Sequence, residues 1–176
     1  MNFCARRFNL YLILLLAVVI CGCGTFQKKK PIKTSAIRVH VEAPVGVPGQ
    51  TRTVRVLRSN PLIVTVDVNP ILTEQNLLAA GLVETPGGYA VKLQFDETGG
   101  WMLEQATASN PGKHLVVFGQ WGEKTTEGRF LAIPLITGRN SSGVLSFTPD
   151  CSREEAQRFV EGLNEVSKLM HQPEKK

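Results

Sequence analysis

Strict alternation of apolar and polar residues marks two stretches of the chain as strands with one buried face. Residues 37–42 read Ile-Arg-Val-His-Val-Glu, and residues 89–95 place Tyr, Val, Leu and Phe at every other position. Shorter apolar runs of strand length follow at 115–118, 130–136 and 144–147. The pattern therefore predicts a sheet assembled from several separate segments.

The turn sequences between these runs predict how the first strands connect. Residues 44–50 (PVGVPGQ) are typical of a turn, and a second apolar run at 53–57 follows them. Strands 37–42 and 53–57 are therefore predicted to form a hairpin. A third strand is predicted over 62–68, between two Asn-Pro pairs.

Two helices are predicted in the middle of the chain from their capping and stop residues. Thr73 can cap a short helix over 74–80, which would end at Gly81. Thr98 precedes a second helix with a glycine-rich, entropically poor entry. That helix is predicted to end at the Asn-Pro-Gly sequence of residues 110–112.

The C-terminal part is predicted to contain a hairpin followed by a capped helix. Residues 138–142 (GRNSS) would join strand 129–137 to strand 143–147. Ser152 and Glu155 are spaced as a capping box. The helix after them presents an apolar stripe made of Ala156, Phe159, Val160, Leu163, Val166 and Met170.

The first 23 residues have the pattern of a bacterial lipoprotein signal. Arg6 and Arg7 precede a nearly unbroken apolar run over 8–20, which is short for a membrane span of roughly 20 residues. The sequence Ile-Cys-Gly-Cys at 20–23 resembles a lipobox, which implies cleavage after residue 22 and membrane anchoring through acylated Cys23. An uncleaved signal anchor is the alternative, and it would leave the same domain in the same compartment.

The residues after the anchor are predicted to form a flexible tether over 24–35. Its lysines either contact anionic head groups or belong to a solvated linker. Gly24, rather than Asp, follows Cys23, and in lipoproteins of the enterobacterial type this favours the outer membrane.

The number and positions of the cysteines agree with export of the protein. Cys4 and Cys21 would leave with the signal peptide and Cys23 would be acylated, so Cys151 alone remains and no intramolecular disulfide is available. Cys151 is expected to be buried beside the last helix, and an exposed thiol open to intermolecular oxidation is the alternative.

The charge of the chain argues against nucleic acid as a partner. The sequence has 20 basic and 15 acidic residues and a formal net charge of +5. Loss of Arg6 and Arg7 would leave +3, which is weak and dispersed for a nucleic-acid surface.

No catalytic, cofactor or metal motif is present, since GxSxG, P-loop, GxGxxG and HExxH patterns are all missing. His40 is expected at the surface of its strand, and His114 in a structural or surface role. Residues 141–142 (Ser-Ser) fit turn chemistry, and residues 96–97 (Asp-Glu) fit favourable charge near a helix N-terminus. No enzyme activity, cofactor or metal is therefore expected. An unrecognised hydrolase would need His and a nucleophile to converge in a polar pocket.

Aromatic residues are the candidates for contact with a partner. Phe118 and Trp121 flank a polar loop, 120–128, where they could anchor an extended peptide. Core packing is the expected role of Phe118 and of Trp101. Trp121, next to Gly122, is expected to be exposed.

Five segments together resemble the head subdomain of the first periplasmic domain of SecD, a membrane component that assists protein export through the Sec translocon. They are 112–118 (GKHLVVF), 131–136 (LAIPLI), 143–148 (GVLSFT), 153–156 (REEA) and 162–164 (GLN). The resemblance covers roughly 86–166. It implies an α+β fold, with a mixed, largely antiparallel sheet and helices packed on one face, in a non-enzymatic domain that contacts emerging polypeptide. SecD's transmembrane helices have no counterpart in this sequence, so a pump is not expected.

The predicted organisation has five parts: a signal peptide at 1–22, lipidated Cys and tether at 23–35, strands joining the sheet at 36–69, a SecD head-like domain at 70–170, and a tail at 171–176. The predicted protein is lipid-anchored in the bacterial envelope and faces the periplasm. It is expected to bind unfolded polypeptide or an envelope protein partner in connection with export. A structural or assembly lipoprotein unrelated to export is the alternative, and the sequence does not set the oligomeric state.

Overall fold

The computed structural model describes residues 34–44, 46, 49–122 and 127–171. The predicted signal peptide, Cys23 and most of the predicted tether lie outside the described residues. Nearly all of the predicted tail lies outside them as well.

Nine strands and two α-helices occur in these described ranges. The strands are β1 (Ala36–Val41), β2 (Thr51–Val56), β3 (Leu62–Asp67), β4 (Leu72–Thr73), β5 (Leu77–Thr85), β6 (Gly88–Phe95), β7 (Leu115–Trp121), β8 (Glu127–Ala132) and β9 (Val144–Phe147). The helices are α1 (Glu97–Ser109) and α2 (Arg153–Met170), and a 3-10 turn covers Glu74–Asn76.

The strands form three antiparallel sheets, and the α+β class is confirmed. One sheet has the order β4-β1-β7-β8, a second contains β2 and β3, and the third has the order β5-β6-β9. Every pairing between the named strands is antiparallel.

The predicted hairpin between strand 37–42 and strand 53–57 is wrong. β1 pairs along its whole length with β7, from Ala36 opposite Gln120 to Val41 opposite Leu115, and β2 pairs with β3. Burial explains the difference, because Ile37 and Val39 of β1 are fully buried in the main core. Pairing with the distant strand β7 places these two side chains in the core, whereas a local hairpin with β2 would not.

The predicted hairpin between 129–137 and 143–147 is also wrong. β8 pairs with β7, whereas β9 pairs with β6, so the two segments belong to different sheets. A backbone hydrogen bond of 2.7 Å joins the Asp150 N–H, three residues after β9, to the Leu131 carbonyl of β8.

The short helix predicted over 74–80 is a strand for most of its length. Thr73 does cap a turn of helix, accepting from the Gln75 N–H, but the turn ends at Asn76 and β5 begins at Leu77. β5 pairs with β6 down to the two residues Pro86 and Gly87 that connect them. Pairing with an alternating strand outweighs the weak local helix preference.

The C-terminal helix follows its sequence pattern closely. The Ser152 side chain accepts from the Glu155 N–H and the Glu155 side chain accepts from the Ser152 N–H, so the predicted capping box is confirmed. Of the apolar stripe, four residues are buried in the main core: Ala156, Phe159, Val160 and Leu163.

Helix α2 also covers the outer edge of the three-stranded sheet. The Asn164 side chain accepts from the Ala80 N–H and donates to the Ala80 carbonyl, both at 2.8 Å. The Ser167 hydroxyl lies 2.8 Å from the Leu77 carbonyl oxygen. These contacts satisfy backbone groups that an edge strand otherwise leaves open.

The residue before β1 is fixed against the same helix. Ser35 is 3% exposed, and a Cβ atom added at Gly162 would lie 2.2 Å from the Ser35 hydroxyl oxygen. Glycine therefore permits the close approach of α2 to the residue that precedes β1.

Two apolar clusters hold the sheets together. The main one combines residues of both larger sheets with α1 and α2 and includes Ile37, Leu72, Leu93, Leu103, Leu131 and Phe147. The second joins β2 and β3 to the other face of the four-stranded sheet, through Val54, Val56, Val66 and Val116.

Candidate functional site

Trp121 lies in the core, so the expectation that it is exposed is wrong. It is 1% exposed and pairs with Glu127 as the last residue of β7. Its ring meets Phe159 edge-on, with centroids 5.9 Å apart, and the Arg129 guanidinium lies 4.8 Å from its centroid. A polar sequence after the strand suggested a loop, whereas the pairing continues to residue 121.

Phe118 is half-buried on the opposite face of β7. Its ring packs against Phe130 with centroids 5.2 Å apart. Phe118 thus packs against a neighbour but belongs to neither apolar cluster, so the core role expected for it holds only in part. Its role as a partner contact stays a prediction.

Trp101 is the exposed tryptophan, contrary to the core role expected for it. Asp96 caps α1, accepting from the Gly99 N–H at 2.6 Å, and the helix begins at Glu97 rather than after Thr98. α1 buries Leu103 and leaves Trp101 62% exposed. The sequence signal was weak because the glycine-rich first turn gives the helix little amphipathic pattern.

A groove of about 560 Å³ runs along one side of Trp101. Its apolar wall is formed by Val41 at the end of β1, Ile71 before β4, and Met102 and Ala106 on α1. Met102 is 38% exposed. Charged residues also line the groove: Glu42, Asp67 and Lys113.

A second groove of about 650 Å³ also has Trp101 in its lining. Three carboxylates line it, from Asp96, Glu97 and Glu104. The opposite wall includes residues 141–143, where the Ser142 N–H and hydroxyl bond to the Asn140 side-chain oxygen. These bonds support the expectation that the two serines are turn residues.

His40 is buried, and the expectation that it lies at the surface is wrong. It is 1% exposed because β2 and β3 cover the face of β1 that carries the polar residues of the alternating pattern. Its Nδ1 donates to the Asp67 carbonyl at 2.8 Å. Burial lowers the pKa of His40, the carbonyl opposes this, and Arg52 and Arg38 add to the lowering.

His114 has a structural position, as expected. Its Nδ1 lies 2.6 Å from a carboxylate oxygen of Glu42, and its backbone N–H donates to the same oxygen at 3.0 Å. No group of three or more His, Cys, Asp and Glu residues that could hold a metal ion occurs in the described part of the chain.

Cys151 is half-buried and packs against the main core, before α2. Burial raises the pKa of its thiol, which lowers the reactive thiolate fraction. The Tyr89 hydroxyl donates to the Cys151 carbonyl, and burial with this neighbour raises the pKa of Tyr89 to about 12. This environment is suited to packing rather than to nucleophilic chemistry.

Neither helix in the described part of the chain has the length and apolar character that a membrane crossing needs.

No family model matches the chain, and no curated protein matches it. Among solved structures, it is similar to SecDF, reported as a membrane component that enhances protein export. The TM-score is 0.52 at 19% identity, over 76% of this chain and 64% of that chain. This likeness establishes a shared, SecD-like fold. The chain spans 64% of the length of that neighbour.

Two other SecDF structures are more distant. The super-membrane-facing form gives a TM-score of 0.46 at 16% identity, over 90% of this chain and 33% of that chain. SecDF of Thermus thermophilus, reported as a translocon-associated membrane protein, gives 0.41 at 16% identity, over 92% and 34%.

Proposed function

We propose that this protein is a lipid-anchored, non-enzymatic component of the bacterial envelope whose SecD-like domain faces the periplasm and binds extended segments of unfolded polypeptide in connection with protein export. The observation that carries the proposal is the exposure of Trp101 beside Met102 at the mouth of the 560 Å³ groove.

The chemistry of this surface suits a polypeptide. A tryptophan side chain buries about 150–250 Å² when it is covered, so covering the exposed 62% of Trp101 would release on the order of 2–4 kcal/mol. Methionine adapts its shape to different neighbours, and tryptophan is enriched among residues that dominate binding energy. Such a surface favours varied apolar side chains over one small ligand.

Two further features support the placement in export. The similar SecDF structure belongs to a membrane component reported to enhance protein export. The lipobox-like sequence at residues 20–23 and the apolar run before it predict delivery to the envelope. A membrane-tethered domain that binds polypeptide is consistent with both the SecDF likeness and the lipobox-like sequence.

Site-specific cross-linking in cells tests the proposal. A photoreactive phenylalanine derivative at position 101 should capture newly exported polypeptides during a short pulse of labelling. The same residue at position 169 is the control, because Leu169 is similarly exposed, at 55%, and lines neither groove. Capture at position 101 no stronger than at position 169 would contradict polypeptide binding at this surface.

A deletion strain separates export from the alternative of a structural or assembly lipoprotein. The proposal predicts slower processing of exported proteins in the deletion strain. Envelope fragility with normal secretion, together with capture of one folded envelope protein at position 101, would favour the alternative.

A further inference from the structure

The two grooves beside Trp101 carry a negative charge that the rest of the protein does not share. Among their described lining residues, five are acidic and one is a lysine: Glu42, Asp67, Asp96, Glu97, Glu104 and Lys113. The other described residues, in contrast, include ten Lys and Arg residues and eight Asp and Glu residues. The Trp101 surface is therefore an acidic region on a domain whose remaining charges are slightly basic.

From this asymmetry we infer that the polypeptide segments bound at Trp101 carry a basic side chain next to an apolar one. The inference rests on the proposed function and names the class of segment that the surface selects. The basic side chain enters the acidic groove and the apolar side chain enters the groove lined by Val41, Ile71 and Ala106.

The acidic groove has the groups that a cation requires. Glu97 is exposed in the first turn of α1. One carboxylate oxygen of Asp96 accepts a hydrogen bond from the Gly99 N–H. Glu104 forms an ion pair with Arg139, whose side chain is 69% exposed. Exposed ion pairs are weak, so a cation from a partner can compete with Arg139.

Trp101 adds attraction that a carboxylate alone lacks. A guanidinium or ammonium group within about 6 Å of an indole centroid is attracted by the ring's negative face. Since Trp101 lines both grooves, one indole can contact the cation in the acidic groove and the neighbouring apolar side chain in the apolar groove. A basic residue and an adjacent apolar residue match this layout.

Two of the charged groups that line the apolar groove, those of Glu42 and Lys113, already have partners within the protein. The Glu42 carboxylate is bound to His114, and Lys113 donates to the Asn110 side chain at 2.9 Å. Asp67 also lines the apolar groove. The apolar groove therefore offers no strong site for an acidic partner, and a basic one is not repelled.

Peptide binding to the full-length protein in non-ionic detergent tests the inference. Three labelled peptides of equal length would carry an apolar core and differ at one position: Arg, Gln or Glu. The Arg peptide should bind about tenfold more tightly than the Gln peptide, the Glu peptide should bind weakest, and added salt should shrink these differences because it screens exposed charges.

Charge substitutions at Glu97 provide the matched variants. Glu97→Gln should weaken the Arg peptide several-fold and narrow its advantage over the Gln peptide, and Glu97→Lys should improve binding of the Glu peptide over wild type. Glu165→Gln, on the exposed side of α2, should change nothing. A circular-dichroism melting curve for each variant confirms that it is folded.

The outcomes separate the inference from the function it rests on. If all three peptides bind equally and Trp101→Ala removes binding, the charge selection is overturned and polypeptide binding stands. If the Arg peptide binds best but Glu97→Lys does not alter the order, the acidic groove is not the selecting site and the inference is overturned. If no peptide binds, the inference and the proposed function both fail.

Discussion

At the scale of single residues, the two tryptophans have opposite surroundings. Trp121 fills the main core and Trp101 stands in solvent. Neither environment follows from periodicity alone. β7 is buried on nearly every residue, so its pattern does not distinguish a core position from an exposed one.

The tryptophan pair supplies a matched prediction for stability. Trp121→Ala should lower the free energy of unfolding by about 3–5 kcal/mol, because a large buried side chain is lost and a cavity remains. Trp101→Ala should change it by less than about 0.5 kcal/mol, as is usual for a surface position. Urea unfolding followed by far-ultraviolet circular dichroism measures both, and similar losses would contradict the assigned environments.

His40 gives a prediction for pH. Its pKa in the folded protein is lowered from the ordinary value of 6.5, so the unfolded chain binds more protons between the folded pKa and 6.5. The contribution of His40 to the free energy of unfolding should therefore be fully present above pH 6.5 and should be lost as the pH falls below that value. His40→Asn, which keeps a side-chain donor for Asp67, should reduce the fall between pH 7.5 and pH 5.5 in urea unfolding.

The comparison at higher pH controls for other effects of this substitution. Between pH 7.5 and pH 8.5 the wild-type protein and His40→Asn should have the same slope of stability against pH. An unchanged slope below pH 6.5 in the variant would show that His40 is not the group responsible.

At the scale of elements, the contact between α2 and β5 closes an open sheet edge. Asn164→Ala should destabilise the protein by about 1–3 kcal/mol, since both backbone groups of Ala80 lose their partner at a partly covered site. Hydrogen exchange at the Ala80 amide should accelerate as well. Gln157→Ala removes a surface hydrogen bond to Glu161 on the same helix and should cost less than about 0.5 kcal/mol.

Equal effects of the two substitutions would contradict the edge-closing role of Asn164. So would unchanged exchange at Ala80 in a destabilised variant, because the loss of stability would then arise elsewhere.

Elements with strong local signals could be predicted from the sequence. Capping by Ser152 and Glu155 together with a long apolar stripe fixes α2, and alternation fixes β6. Strand partners could not be predicted, since β1 and β9 pair with strands far away in the chain, β7 and β6. The other members of the expected hairpins, β2 and β8, pair instead with their chain neighbours β3 and β7. The sequence predicts a helix over 74–80 because Thr73 caps a real but single turn, and the hairpin pairing of β5 with β6 decides the rest.

The candidate site was harder to predict than the fold. It requires Trp101 on α1, Val41 at the end of β1 and Ile71 before β4 to meet at one groove. These residues come from three segments with no shared motif. The acidic residues at 96–97 fit a place near a helix start, and Glu104, two turns further along the same helix, lines the same groove.

At the scale of the whole molecule, acylation of Cys23 is the prediction that determines where the domain works. Cys23→Ala should abolish labelling by an alkyne-bearing palmitate analogue and move the protein out of the membrane fraction. Cys151→Ala is the matched control and should remain labelled, because its site is a half-buried packing position. Label that persists in Cys23→Ala would contradict lipid attachment at this residue.

The position of β1 determines how the domain would respond to mechanical force. β1 is an inner strand, flanked by β4 and β7, and Ser35 at its start is fixed against α2. Tension applied to the start of β1 along the strand axis would act at right angles to the β1–β7 hydrogen bonds. All six residue pairs would be loaded in shear at once rather than unzipped singly. A segment held at the Trp101 surface could therefore be pulled against the membrane while the domain stays intact.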